Sequence, residues 1–195
     1  FAFELDIIEK QYSQITTAPP APPTSKDRFS EDEIKILWTK AEEPWVDSIL
    51  IYLYTGFRLN ELLKLKSEQV DMNQQIIWGG SKTAAGIDRI IPIHDRIKPL
   101  IQKRLNEGNE YLLAYKGKKV SSAKYYLVWY EIMENLGIDK KPQECRHTLR
   151  SRLDSAGANK KCIDLIIGHK SSDIGERTYT HKTIQELKEA MAKIS

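Results

Sequence analysis

The sequence predicts an α+β fold, mostly helical, with one small antiparallel three-stranded sheet. Helical stretches with capping residues at their starts and glycine at their ends flank the middle of the chain, where two short β-branched or aromatic runs are separated by turn-forming residues. No internal repeat divides the sequence. With 195 residues, 41% of them hydrophobic, the chain can bury one ordinary core, so a single main domain is expected over residues 26–195.

Ahead of it, residues 1–15 set Leu5, Ile8 and Tyr12 on one side of an amphipathic helix. The TTAPPAPPTS stretch that follows cannot be helical and reads as a semi-rigid linker. A helix followed by a linker over residues 1–25 looks like a piece of a longer protein. Ser30 with Glu33 is a capping-box pattern and opens a helix through about Thr39. Pro44 opens a second helix, which runs to Thr55 and stops at Gly56, and a short third spans residues 58–65. Residues 75–78 and 89–93 are the two strand-forming runs; with Val70 they make the sheet, and Lys82 lies in the connection between them.

Helical signal returns over residues 97–105, 122–135, 146–156 and 160–167, the last three stopping at Gly137, Gly157 and Gly168. In the tail, Ile184, Leu187, Met191 and Ile194 fall at helical spacing and form a short apolar stripe. Such a stripe ordinarily packs on its own domain.

The net charge of +3 is too small to announce a nucleic-acid partner by itself. Residues 116–119, Lys140 with Lys141, residues 146–152, and Lys160 with Lys161 can nevertheless combine into a basic face. Cys145 and Cys162 are isolated and lack CxxC spacing, which points to buried thiols in a reducing cytoplasm rather than to zinc or a disulfide framework. No apolar run approaches the roughly 20 residues of a membrane span, and the first residues lack the pattern of a signal peptide. A soluble cytoplasmic protein with no membrane partner is expected. The sequence holds no metal-ligand cluster, Walker loop or acidic triad, which disfavours ATPase and two-metal nuclease chemistry, and no cofactor is expected.

Five residues stand in separate short motifs: Arg58 in TGFRLNELLKL, Lys82 in SKTAAG, Arg146 in ECRHTLRSRLDSAG, His169 in IIGHK and Tyr179 in RTYTHKT. Singly, each has a plainer reading. Arg58 can pair with Glu61 three residues on, Arg146 can be one more cation in a basic helix, Lys82 can solubilise a hairpin tip, His169 can cap a helix and Tyr179 can be a packing tyrosine. Together, two arginines, a lysine, a histidine and a tyrosine form a kit for breaking a phosphodiester without metal.

The order of these motifs and their surrounding letters resemble the tyrosine recombinase family, also called phage integrases, over residues 25–194. The resemblance implies a metal- and ATP-independent DNA strand transferase that works through a covalent 3′-phosphotyrosine. Tyr179 would be the nucleophile, Arg58 and Arg146 would hold the non-bridging phosphate oxygens, Lys82 would protonate the leaving 5′ oxygen, and His169 would hydrogen-bond the phosphate. Glu61 would orient Arg58 or nearby backbone. His94, His147 and His181 read as structural.

One position departs from the family pattern: Gln143, in PQECRHT, stands where a histidine is usual. Glutamine can donate an amide hydrogen bond to phosphate but cannot accept a proton from Tyr179 at neutral pH. The resemblance further implies that residues 1–25 are the end of a preceding helical DNA-binding domain plus its linker. It also implies double-stranded DNA as partner, self-association on DNA as a tetramer through docking of the C-terminal tail on a neighbouring copy, and accessory DNA-bending proteins. For the apolar stripe of the tail, packing on its own domain and docking on a neighbour are both open. The hairpin KTAAGIDRIIPI and the ending THKTIQELKEAM resemble the mobile-element integrase branch. Two rival readings stand beside it: a catalytically impaired DNA-binding regulator with the same fold, motivated by Gln143, and a type IB topoisomerase-like DNA-relaxing enzyme that uses similar residues without strand exchange.

Overall fold

In the computed structural model of the protein, residues 28–79, 89–169 and 183–194 are described. Helix α1 (Glu31–Thr39) starts at the reciprocal box expected of it: the Ser30 hydroxyl accepts from the Glu33 N–H, and the Glu33 carboxylate accepts from the Ser30 N–H. Helix α2 (Val46–Thr55) begins two residues after Pro44, because Trp45 takes a left-handed conformation with φ 70°. All ten residues of α2 are buried, the mark of a central helix packed on every side. Near its start the Asp47 carboxylate receives two hydrogen bonds from Arg104, from Nε at 2.6 Å and Nη2 at 2.7 Å, with the guanidinium over the Trp45 ring. An acid in the first turn also meets the positive end of the helix dipole.

Helix α3 (Leu59–Leu62) is shorter than the predicted 58–65. The Leu65 carbonyl accepts the Leu112 N–H and Lys66 bridges to Tyr111, so the chain is drawn into extended pairing before a second helical turn can form. Strands β1 (Val70–Asp71), β2 (Ile76–Gly79) and β3 (Arg89–Pro92) form the antiparallel sheet in that order, with Val70 opposite Ile77 and Ile77 opposite Ile91. A 3-10 turn at Asp95–Ile97 leads into α4 (Lys98–Asn106).

A hairpin absent from the sequence prediction follows, with β4 (Ala114–Tyr115) paired to β5 (Lys118–Lys119). Its turn residues Lys116 and Gly117 both have positive φ, 51° and 72°, as a type I′ turn requires. Lysine in place of Asn or Asp before the glycine hides the signal.

Helix α5 (Ser122–Leu136) runs from the Ser121 cap to Gly137. Helix α6 (Pro142–Ser155) starts four residues earlier than predicted, since Pro142 suits the first turn and the Glu144 carboxylate accepts the Lys141 N–H. Helix α7 (Lys160–Ile167) has the predicted bounds, between an Asn159 cap and Gly168.

The core forms where α2 packs on α6, α1 and α4, with Trp129 of α5 set edge-on to Phe29 and Tyr52. Cys145 and Cys162 are free, buried thiols within it. Helix α8 (Ile184–Met191) lies against β3 and α7 of its own chain, burying Leu187, Ala190 and Met191, with Ile194 beyond its end. His94 latches this tail: its Nδ1 accepts the Arg96 N–H, which leaves Nε2–H to donate to the Ile194 carbonyl at 2.9 Å. Residues 1–25, Lys82, Tyr179 and His181 lie outside the described residues. Among the described residues no helix is long and apolar enough to cross a membrane.

Gly56 ends α2 with φ 63°, and a Cβ there would meet Leu149 Cδ2 of α6 at 2.8 Å. Gly56→Ala should therefore cost about 2 kcal/mol, from the left-handed backbone plus displacement of Leu149. Urea unfolding curves measure this, and an unchanged midpoint would show that the α2–α6 junction tolerates a side chain.

Candidate active site

Arg58 is the N-cap of α3, with an extended backbone. Its own N–H donates to Glu61 Oε2 at 2.9 Å and its Nη1 to Glu61 Oε1 at 3.0 Å, so the carboxylate fixes both ends of the arginine. The Arg58 side chain remains 46% exposed, whereas that of Glu61 is 2% exposed. A second cation meets Glu61 from the sheet, with Arg89 Nη2 donating to Oε2 at 2.9 Å. The ion pair of Arg58 with Glu61 anticipated as the plain reading is thus real, and it aims the arginine.

Arg146 is the fifth residue of α6, in its second turn and not at its start. It is buried, and its Nη1 donates to the Gly56 carbonyl at 2.6 Å. Arg89 Nη2 approaches the same oxygen at 3.5 Å. That carbonyl closes the C-terminal end of α2, where the helix dipole is negative and favours cations. Arg146 Nη2, Arg89 Nε and Arg89 Nη1 are buried and make no hydrogen bond among the described residues.

Burial pushes the Arg146 guanidinium down to about 10, with the like charges of Arg58 and Arg89 acting the same way. Burial likewise lowers Arg89, with Glu61 opposing it. Both remain charged at neutral pH. For Glu61, burial alone would raise the carboxyl, but the Arg58 N–H and the Arg89 and Arg58 guanidiniums outweigh it and hold the group at about 2.

His169 follows Gly168, the left-handed cap of α7. A Cβ on Gly168 would lie 2.9 Å from Arg89 Nη1, so glycine lets this turn pass directly over the buried cation. The His169 N–H donates to the Asp164 carbonyl, and Arg150 Nη1 lies 3.1 Å from its Nδ1. Burial, then the charges of Arg146, Arg150 and Arg58, lower the imidazole below its ordinary value, with Asp164 opposing them. Gln143 is exposed in the first turn of α6, three residues before Arg146 and therefore on the same side of the helix.

Of the six predicted site residues, the fold brings Arg58, Arg146 and His169 together and sets Gln143 one turn from Arg146. Lys82 and Tyr179 fall outside the described residues. Sequence reasoning missed Arg89 and Arg150. Arg89 was legible in principle: β3 alternates, so Arg89 shares a face with the buried Ile91 and Ile93. Chemically, three guanidiniums against one carboxylate make a partly dehydrated cationic site, and forked donors of this kind suit the oxygens of a phosphate.

The model of the phage integrase family matches residues 27–186. A tyrosine recombinase XerA of Pyrococcus horikoshii is 27% identical over 185 residues, covering 90% of this chain and 64% of that protein. The chain thus spans just under two thirds of that relative. Among solved structures, the Tn1549 transposon integrase in complex with circular intermediate DNA matches with a TM-score of 0.68 at 21% identity, over 97% of this chain and 73% of that one. A lambda integrase tetramer bound to a Holliday junction gives a TM-score of 0.68 at 19% identity, over 89% and 56%. At these identities the two structures speak for the fold alone.

The depressed Glu61 carboxyl stabilises the fold fully above its unfolded value of 4.5, and the contribution is lost as pH falls through about 2. Glu61→Gln should lower stability at pH 7 by about 3 kcal/mol and flatten that part of the acid limb. Melting curves from pH 2 to 7 provide the measurement. An unchanged acid limb would mean that the carboxylate is not what balances the arginines.

Proposed function

The chain belongs to the phage integrase family, and on that premise we propose that it is a site-specific DNA recombinase of the tyrosine class. The observation that carries the reading is the convergence of Arg58, Arg146 and His169 around the end of α2, with buried guanidinium N–H groups still unbonded among the described residues. Such donors, fixed before any ligand arrives, favour the charge that gathers on phosphorus oxygens during substitution.

In this mechanism Arg58 and Arg146 grip the two non-bridging oxygens of a DNA phosphodiester and His169 donates to the same phosphate. The Tyr179 oxygen attacks phosphorus; a phosphorus–oxygen bond to tyrosine forms as the bond to the 5′ oxygen breaks. Lys82 gives its proton to that leaving oxygen, and the phenol proton passes to water or to a phosphate oxygen. The reverse attack by a 5′ hydroxyl rejoins the strand and frees Tyr179. Gln143 serves as an amide donor to phosphate, and no metal or nucleotide cofactor takes part.

The partners proposed are double-stranded DNA, further copies of the chain assembled on it as a tetramer, and accessory DNA-bending proteins. The tail, packed here on its own domain, would exchange onto a neighbour for that assembly. The cytoplasm suits this role, since reducing conditions keep Cys145 and Cys162 as thiols. The mobile-element branch is supported by the resemblance of the hairpin and tail sequences.

Tyr179→Phe should bind duplex as the natural protein does but form no covalent adduct on a nicked suicide substrate, and an adduct from the Phe variant would reject Tyr179 as nucleophile. If Gln143 acts only as a donor, Gln143→His should change single-turnover adduct formation by less than about 3-fold. Strong acceleration with a new titration near pH 6.5 would instead assign this position to proton acceptance from the tyrosine.

A further inference from the structure

Arg150 is not among the residues that the proposed mechanism uses. It lies on α6 four residues after Arg146 and seven after Gln143, so the three side chains follow one another along a single side of the helix. Its Nη1 lies 3.1 Å from His169 Nδ1. A guanidinium has donors and no acceptor, so this contact requires a lone pair on Nδ1. The remaining ring proton then sits on Nε2.

We infer that Arg150 is a positioning residue, which holds His169 as the neutral Nε2–H tautomer with that N–H turned away from Arg150 and free to donate. The inference rests on the reading of His169 as a donor to phosphate, but the state of the ring can be measured without DNA. Flipping the ring would put the Cδ2–H against the guanidinium, the other tautomer would put an N–H there, and a second ring proton would remove the acceptor Arg150 needs. Among the described residues, the charges bearing on the imidazole are Arg146 and Arg150 from α6, Arg58 ahead of α3 and Asp164 from α7. Three of these four oppose its protonation. The Arg89 guanidinium, which lies directly under Gly168, adds a positive charge at the turn that presents the ring.

Three substitutions separate donor from charge. Lysine keeps both, glutamine keeps an N–H donor without charge, and methionine keeps neither. Because Arg150 is exposed, all three should fold. Long-range proton–nitrogen NMR of the whole chain, with His169→Gln identifying the signal among four histidines, should find His169 as the Nε2–H tautomer in the natural protein and in Arg150→Lys. Arg150→Gln, whose amide can accept as well as donate, should loosen the tautomer while the imidazole titrates at higher pH. Arg150→Met should show mixed tautomers and also titrate higher. On a suicide substrate, Arg150→Met should slow adduct formation about 10-fold at saturating DNA, with Arg150→Lys restoring most of the rate.

A natural-protein ring protonated on Nδ1, or one whose tautomer and titration ignore Arg150→Met, would overturn the assignment. A loss confined to DNA affinity and its salt slope, with the ring unchanged, would make Arg150 a backbone contact instead. If the natural protein forms no adduct, the recombinase reading fails, yet the NMR result still decides what Arg150 does to His169.

Discussion

Three guanidiniums brought into one partly dehydrated place repel each other and lose their water, so the site exists only because the fold supplies compensating negative groups there. Two do this work. The C-terminal carbonyl of α2 at Gly56 takes Arg146 and draws Arg89, and the Glu61 carboxylate takes Arg58 and Arg89. Both requirements reach back into the architecture. The carbonyl is presented because α2 is wholly buried and stops in a left-handed glycine, and the carboxylate is presented because Arg58 is the N-cap of α3, so that Glu61 folds back on it. Removing either would leave a buried cation unbalanced, a costly state in a protein interior.

The same compensation explains which parts of the structure were legible in the sequence. Ser30 with Glu33, and Asn159 through Gly168, carry their own local signals, and those helices lie where the letters place them. Helix α3 is short because Leu65 and Lys66 find partners at Leu112 and Tyr111, a pairing 45 or more residues away that no local window contains. The Lys116–Gly117 turn was obscured by its lysine. Arg58, Arg146 and His169 were found through motif resemblance, whereas Arg89 and Arg150 were missed because their roles depend on what lies opposite them. Arg89 reads as one charge in a strand until Glu61, Gly56 and Gly168 surround it.

The tail illustrates a different limit. Its apolar stripe was equally compatible with two destinations, because periodicity reports that a face must be covered and not by whom. In the structure the face is covered by β3 and α7 of the same chain, and the His94–Ile194 hydrogen bond holds the end down. Burial lowers the His94 imidazole below its ordinary value, which keeps it neutral and able to bridge Arg96 and Ile194 at once. Strand β3 therefore serves two purposes: its first residue, Arg89, underlies the cationic site, and the strand packs against the tail helix.

Helix α6 is the element that joins these demands. Its inner side carries Cys145, Leu149 and Leu153 into the core against α2, and Arg146, between them in sequence, is thereby held at the end of that helix. Beside these the buried Thr148 accepts the Phe29 N–H, and at the outer side Ser151 accepts from Arg28, so the incoming chain braces the same helix. A helix packed on one side and braced on the other can hold a buried guanidinium within hydrogen-bonding distance of a single carbonyl. Preorganisation at Arg146 is therefore a property of helix packing, whereas Arg150, exposed one turn further along the same helix, reaches His169.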